Sequence, residues 1–150
     1  MQPNDVVSAA RQYVGVRFRH QGRTAEEGLD CLGLLIVVSH RLGLRWPKTL
    51  RAKMRERDYS HLPNEAYLRE SLELFLQPSR FAKPEMADIA LMRIEGRAQH
   101  LGIIAQHPVH HSHSIIHAYA PARKVVEHRL DDDTEHAIVM RYRLPQLAEN

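Results

Sequence analysis

One cysteine occurs in the 150 residues, Cys31 in "GLDCLGLLIVV", and its position decides what chemistry it can do. A lone thiol forms no intramolecular disulfide and no multi-cysteine zinc site, so it is either a small buried hydrophobe or a reactive nucleophile. Free cysteine is among the most buried residue types, which favours packing when nothing else is known. Here an acid precedes it and a long apolar run follows, so the thiol falls in the first turn of a predicted helix. Unpaired backbone N–H groups and the positive end of the helix dipole meet there, and both favour thiolate over thiol, predicting a lowered pKa. A nucleophile also needs a base. Of the eleven histidines, His100 opens "HLGII" and His117 lies in "IIHAY", segments that read as adjacent antiparallel strands able to set two imidazoles side by side. One ring would pair with the thiol while the second holds its other nitrogen, fixing tautomer and orientation. The chemistry this predicts is acyl transfer through a covalent bond to Cys31, by the logic of a Ser-His-Asp triad on another scaffold.

The elements that must position these groups follow from the hydrophobic pattern. Asn4 can cap a first helix in which Val6, Val7, Ala10, Tyr13 and Val14 recur at helical spacing, with Gly15 ending it. Residues 16–30 mix charged and polar residues with two glycines and no period, and read as a loop leading into Cys31. From Cys31 to about Leu42 the chain is apolar nearly all round and Gly43 provides a stop, the pattern of a helix buried in the core. Trp46 to Arg57 is basic and patternless, with Trp46 anchoring a loop. Asn64 then opens a helix whose Leu68, Leu72, Phe75 and Leu76 share a face, an outer layer or lid ending before Pro78. After Pro84 the period changes: "ADIALMRI", "HLGIIAQ", "SIIHAYA", "KVVEHRL" and "HAIVMRYRL" are short and rich in β-branched residues, predicting about five antiparallel strands. Helices first and strands later is the α+β order, here a single domain over residues 1–150 with helices packed on one antiparallel sheet. The triple acid Asp131 to Asp133 reads as a solvated turn.

Composition narrows the classes. A chain of 150 residues that is 43% hydrophobic can bury one sizeable core. Its 21 Lys and Arg against 18 Asp and Glu contain no run of five like charges, and only 6% of residues are aromatic, so a nucleic-acid interface is not indicated. Scattered positive charge fits work on an anionic polymer equally well. No stretch approaches the roughly 18 apolar residues of a membrane span, and the first residues lack a signal-peptide layout, so the expectation is a protein cytoplasmic as made.

Taken together, "VGVRFRHQG", "DCLGL", "ADIALM", "HLGII" and "IIHAY" followed by "KVVEHRL" resemble the NlpC/P60 cysteine peptidases, papain-like enzymes that cut bacterial cell-wall peptides. The resemblance spans most of the chain. "FRHQG" and "DCLGL" are most similar to the subgroup found in phage tail and gene-transfer-agent clusters, which implies phage tail proteins as partners and a place in the tail tip that breaches the wall. The resemblance implies that Cys31 is the nucleophile, His100 the base and His117 the orienting residue, with no metal or other cofactor. It implies a peptidoglycan stem peptide as substrate, cut between D-glutamate and a diamino acid, with Asp30 helping to recognise the free amine. Three positions depart from the family pattern. Phe18 stands where a tyrosine hydroxyl usually lies near the oxyanion site, leaving the Cys31 backbone N–H as donor. Ala87 stands where a glycine usually precedes the strand aspartate, Asp88. The gap between His100 and His117 is enlarged into a histidine-rich hairpin.

Other roles stay open for several of these residues. Asp30 is as well suited to capping the cysteine helix as to binding substrate. His20, like Phe18, is a candidate for lining the cleft, although bonding a loop carbonyl is the favoured role for it. His107, His110, His111 and His113 in "QHPVHHSHSIIH" could hold a transition metal, which would make the protein a metal-binding module. A third reading keeps the fold as a structural tail component with a vestigial cleft.

Overall fold

The computed structural model describes residues 1–48, 65–94 and 97–147. The first helix, α1 (Pro3–Arg11), is capped by Gln2 rather than Asn4, because Pro3 takes the first helical position, where its missing N–H is no loss. The Gln2 N–H donates to Asp5 Oδ2 at 2.8 Å, and Asn4 lies inside the first turn. The helix stops at Arg11, earlier than the spacing of Tyr13 and Val14 predicts. Turns carry the chain on to Gly15, whose φ of +95° suits glycine and whose N–H donates to Val125 O at 2.9 Å.

Residues 16–30 are more ordered than a patternless loop. They hold a short antiparallel ribbon, β1 (Arg23–Thr24) with β2 (Gly28–Leu29), and Phe18 bridges to Leu29. The ribbon feeds directly into α2 (Cys31–Arg41), which matches the predicted buried helix: Leu32, Gly33, Leu34, Leu35, Ile36, Val38 and Ser39 are all buried, and Gly43 follows at φ +79°. With Gly33 and three consecutive β-branched residues, this sequence is a poor helix former in isolation. Burial holds it, at about 1.5–3 kcal/mol for each large apolar side chain taken out of water.

The helix α3 (Glu65–Glu73) contributes Leu72 to the same core, followed by Leu76 just past its end. It forms an outer layer against the sheet, and Phe75 stacks on the buried ring of Trp46 at 4.7 Å, which is the anchor expected of that tryptophan. The Asn64 start, the side chain of Leu68 and the basic stretch from 49 to 57 lie outside the described residues.

The remaining elements are β3 (Gln77–Pro78), β4 (Ile89–Ile94), β5 (Arg97–Gln106), β6 (His113–Tyr119), β7 (Lys124–Arg129), α4 (Asp132–Ala137) and β8 (Ile138–Arg143). Strands β3 to β8 form one antiparallel sheet in the order β3-β8-β4-β5-β6-β7, so the fold is α+β as predicted. All five predicted strands are present. The sixth, β3, is a two-residue edge strand containing Pro78, too short to show a period of two and of a composition that only an edge tolerates. The acidic run is not a simple turn: Asp131 accepts from the Thr134 N–H at 2.8 Å and caps α4, so His136 and Ala137 are helical rather than the start of β8.

One face of the sheet packs under α1, α2 and α3 through Ile89, Leu91, Leu101, Ile103, Ile116 and Val125. The other carries a smaller cluster of Ala90, Met92, Ile104, Ile115 and Leu130, covered by Ala137 and Ile138. Strand β8 is pinned beside β4 by the fully buried Asp88, which takes Arg143 Nη1 at 2.8 Å, Arg141 Nη1 at 2.9 Å and the Glu85 N–H at 2.8 Å. Removing one partner of a buried charge cluster leaves the others uncompensated, at a cost of about 3–5 kcal/mol. Asp88→Ala is therefore expected to lower the thermal midpoint by about 10 °C in a calorimetric scan; a drop of only a degree or two would show that the two arginines find other partners.

Candidate active site

Asp30 places the cysteine. Its Oδ1 accepts the Gly33 N–H at 2.8 Å as the N-cap of α2 and takes Arg23 Nη1 at 2.9 Å, while Oδ2 accepts the Gln21 N–H at 2.8 Å. The carboxylate is 3% exposed, so its bonds are made to the loop and the helix head, and capping is the role the geometry displays. Burial is the main influence on its pKa and raises it, against the pull of Arg23 and the two backbone donors. Close packing reinforces the clamp: a Cβ on Gly33 would collide with the Gly22 carbonyl oxygen, and one on Gly22 with that of Gly28. His20 and Phe18 belong to the loop held in this way. His20 is exposed beside Asp30, whereas Phe18 is half-buried against the core.

Cys31 occupies the first position of α2 and meets β5 next to His100. Its sulfur accepts from the backbone N–H of Leu101 and of Leu32, among Leu34, Leu35, Ile89 and Ile103. Strand β5 pairs with β6 only from Ile103↔Ile116 onward, so the stretch bearing His100 and Leu101 lies beyond that ladder, where the helix head reaches it. The expected thiolate is not what this position produces. Burial, followed by the negative charge of Asp30, pushes the Cys31 pKa up to about 12, outweighing the two N–H donors and Arg23. The positive helix end is already occupied by a carboxylate, and the apolar surroundings penalise a second anion.

The two predicted histidines do come together. His100 Nε2 lies 2.6 Å from His117 Nδ1, a hydrogen bond across the splayed end of β5 and β6. Burial lowers both pKa values, to about 4 for His100 and about 3 for His117, so both rings are neutral at pH 7. Two further residues complete the group. Tyr119 stacks on His117 at 4.9 Å, and His128 Nε2 lies 2.8 Å from His117 Nε2. Tyr119 was within reach of sequence reasoning, since residues two apart on a strand share a face. His128 was not: it lies diagonal to His117 across β6 and β7, a relation visible only once the register His117↔Val126 is known.

The hairpin histidines serve a different purpose. His107 Nδ1 accepts the N–H groups of Val109 and His110 at 3.1 and 3.2 Å, and its ring stacks on His110 at 4.7 Å. His107, His110 and His111 lie in the turn between β5 and β6 and His113 opens β6, and among the described residues no group of three or more His, Cys, Asp or Glu is placed to hold a metal ion. No helix among the described residues is long and apolar enough to cross a membrane.

The sequence matches no family model, and no curated protein matches it. Solved structures do match. An NLP/P60 family protein described as similar to lipoprotein, from Staphylococcus aureus, superimposes with a TM-score of 0.61 at 14% identity, covering 95% of this chain and 41% of that protein. The NlpC/p60 domain of the peptidoglycan hydrolase SagA also superimposes with a TM-score of 0.61, at 16% identity, covering 96% of this chain and 100% of that domain. The fold is thus the papain-like fold of NlpC/P60 domains, and the chain spans less than half of the staphylococcal protein.

A thiol with a pKa near 12 is ionised to roughly one part in 10⁵ at pH 7. Alkylation of Cys31 by iodoacetamide is accordingly expected to be much slower than that of free cysteine at pH 7, and to rise about tenfold per pH unit into the alkaline range. A rate at pH 6 equal to or above that of free cysteine would mean a preformed thiolate and contradict this electrostatic account.

Proposed function

We propose that the protein is a cysteine endopeptidase that hydrolyses peptidoglycan stem peptides through an acyl-enzyme on Cys31, with His100 as base and His117 as its orienting partner. The observation that carries this reading is the 2.6 Å bond between His100 and His117 beside the strand position that receives the Cys31 sulfur. The SagA domain, whose fold this chain shares, is described as part of a peptidoglycan hydrolase, which favours the same substrate class.

The neutral resting pair defines the mechanism. His100 is unprotonated over the whole neutral range, the state a general base requires. As Sγ attacks the scissile carbonyl carbon, the thiol proton passes to His100, so the thiolate never has to exist alone in its apolar surroundings. The carbonyl oxygen becomes an oxyanion within reach of the Cys31 backbone N–H, at a helix start that offers such donors. Collapse of the tetrahedral intermediate breaks the C–N bond, and His100 returns its proton to the leaving amine. Water, activated by the same imidazole, then hydrolyses the thioester and regenerates the thiol. Phe18 contributes no hydroxyl to the oxyanion, and the exposed His20 beside Asp30 is the loop residue assigned to contact substrate. By resemblance, the bond cut joins D-glutamate to a diamino acid, and the setting is a phage tail tip.

Digestion of defined muropeptides, with the new termini identified by mass spectrometry, tests this directly. Cleavage is expected for the native chain and absent for Cys31→Ala. His100→Ala should lower kcat by roughly 100- to 10,000-fold, since it removes the proton transfer itself. His117→Ala should cost less, since it disturbs orientation. Cleavage retained by Cys31→Ala would refute the proposal, and His117→Ala the more damaging of the two would reverse the assigned roles.

A further inference from the structure

His128 bonds to His117 and, through its other ring nitrogen, to a backbone carbonyl: Nδ1 lies 2.9 Å from Arg129 O. A carbonyl oxygen only accepts, so this one contact constrains every proton in the series. His128 Nδ1 carries hydrogen and donates to Arg129 O. In the neutral ring, Nε2 then holds a lone pair and accepts from His117 Nε2–H at 2.8 Å. His117 Nδ1 is left as an acceptor and takes His100 Nε2–H at 2.6 Å. The last consequence falls on His100: with hydrogen on Nε2, its lone pair lies on Nδ1, the nitrogen turned away from His117. Reversing any link would place two hydrogens or two lone pairs face to face.

We infer that His128, anchored by the Arg129 carbonyl, is a positioning residue that sets the tautomer of His117 and thereby keeps His100 in the form whose basic nitrogen is Nδ1. This rests on the proposed peptidase for its catalytic meaning, but the tautomer assignment depends only on the three contacts. Backbone geometry makes the arrangement reproducible. His128 and His117 are diagonal neighbours on β7 and β6, close enough for long side chains to touch, and the stack of Tyr119 on His117 restrains that ring. His128 is exposed, so the carbonyl is needed to select its Nδ1–H form: in solution a histidine exchanges freely between its two neutral tautomers. The relay ends on the main chain, which has no alternative protonation state.

The test uses ¹⁵N-labelled full chain and long-range proton–nitrogen correlation spectra of the imidazoles at pH 8. The expected pattern is Nε2–H with an unprotonated Nδ1 for both His100 and His117, and Nδ1–H for His128. His128→Leu should mix the two tautomers of His117 and His100. His128→Gln should restore the native pattern, because its side-chain oxygen can accept from His117 Nε2–H. In muropeptide cleavage, His128→Leu should lower kcat about tenfold with little change in KM, and His128→Gln should recover most of that loss. His100 found in the Nδ1–H form, or ring shifts of His100 and His117 unmoved by His128→Leu, would overturn the inference. These spectra need no substrate, so a chain that failed to cut any muropeptide would refute the peptidase while leaving the relay to be judged on the ring shifts alone.

Discussion

The Asp30 carboxylate is the interaction on which the rest of the site depends. With one oxygen on the Gly33 N–H and Arg23, and the other on the Gln21 N–H, it ties a loop of little periodic character to the first turn of α2, a helix buried nearly all round. Cys31 is the next residue. Its location is therefore set by an N-cap, by the glycines Gly22 and Gly33 that allow loop and helix to touch, and by a core that holds α2 against β5 and β6. Hydrogen bonds to a charged group contribute about 1.5–3 kcal/mol each when they are satisfied, which suffices to order a short loop.

Burial, joined at Cys31 by the charge of the same carboxylate, explains why the thiol and the two histidines rest uncharged. A thiol at a helix start is often a thiolate, because the helix end supplies positive potential. Here that potential is met by Asp30, and the sulfur lies among leucines and isoleucines, so the proton stays on sulfur while His100 and His117 stay neutral. Neutral groups cost less to bury than an ion pair with imperfect hydrogen bonding. In the proposed peptidase the consequence is chemical: neutral His100 is already a base, thiolate and imidazolium arise together during attack, and the direction of the histidine hydrogen bonds becomes as important as their pKa values.

Much of this was legible in the sequence. The apolar run after Cys31, stopped by Gly43, reads as a buried helix, and the β-branched segments after Pro84 read as about five strands in the order observed. His100 and His117 could be paired because both lie in strands consecutive in the chain. The features missed share a physical cause. Gln2 displaced Asn4 as the cap because Pro3 determines where the helix begins; β3 is too short to show a period; Arg23 lies in a stretch whose order comes from tertiary hydrogen bonds. His128 depended on strand register, which alternation of residue types does not reveal. The pKa expectation for Cys31 failed because helix position is local, whereas burial and the Asp30 charge are properties of the folded environment.

The central claim is that Cys31 forms a covalent acyl bond with the help of the histidine pair. Rapid acid quenching of the native chain during turnover of a defined stem peptide, followed by intact and peptide-level mass spectrometry, measures this directly. The account predicts an adduct on Cys31 equal in mass to the acyl portion of the cleaved peptide, which decays as product appears and forms far more slowly in His100→Ala. Peptide cleavage with no adduct on Cys31 at any quench time, proceeding unchanged when Cys31 is alanine, would contradict it.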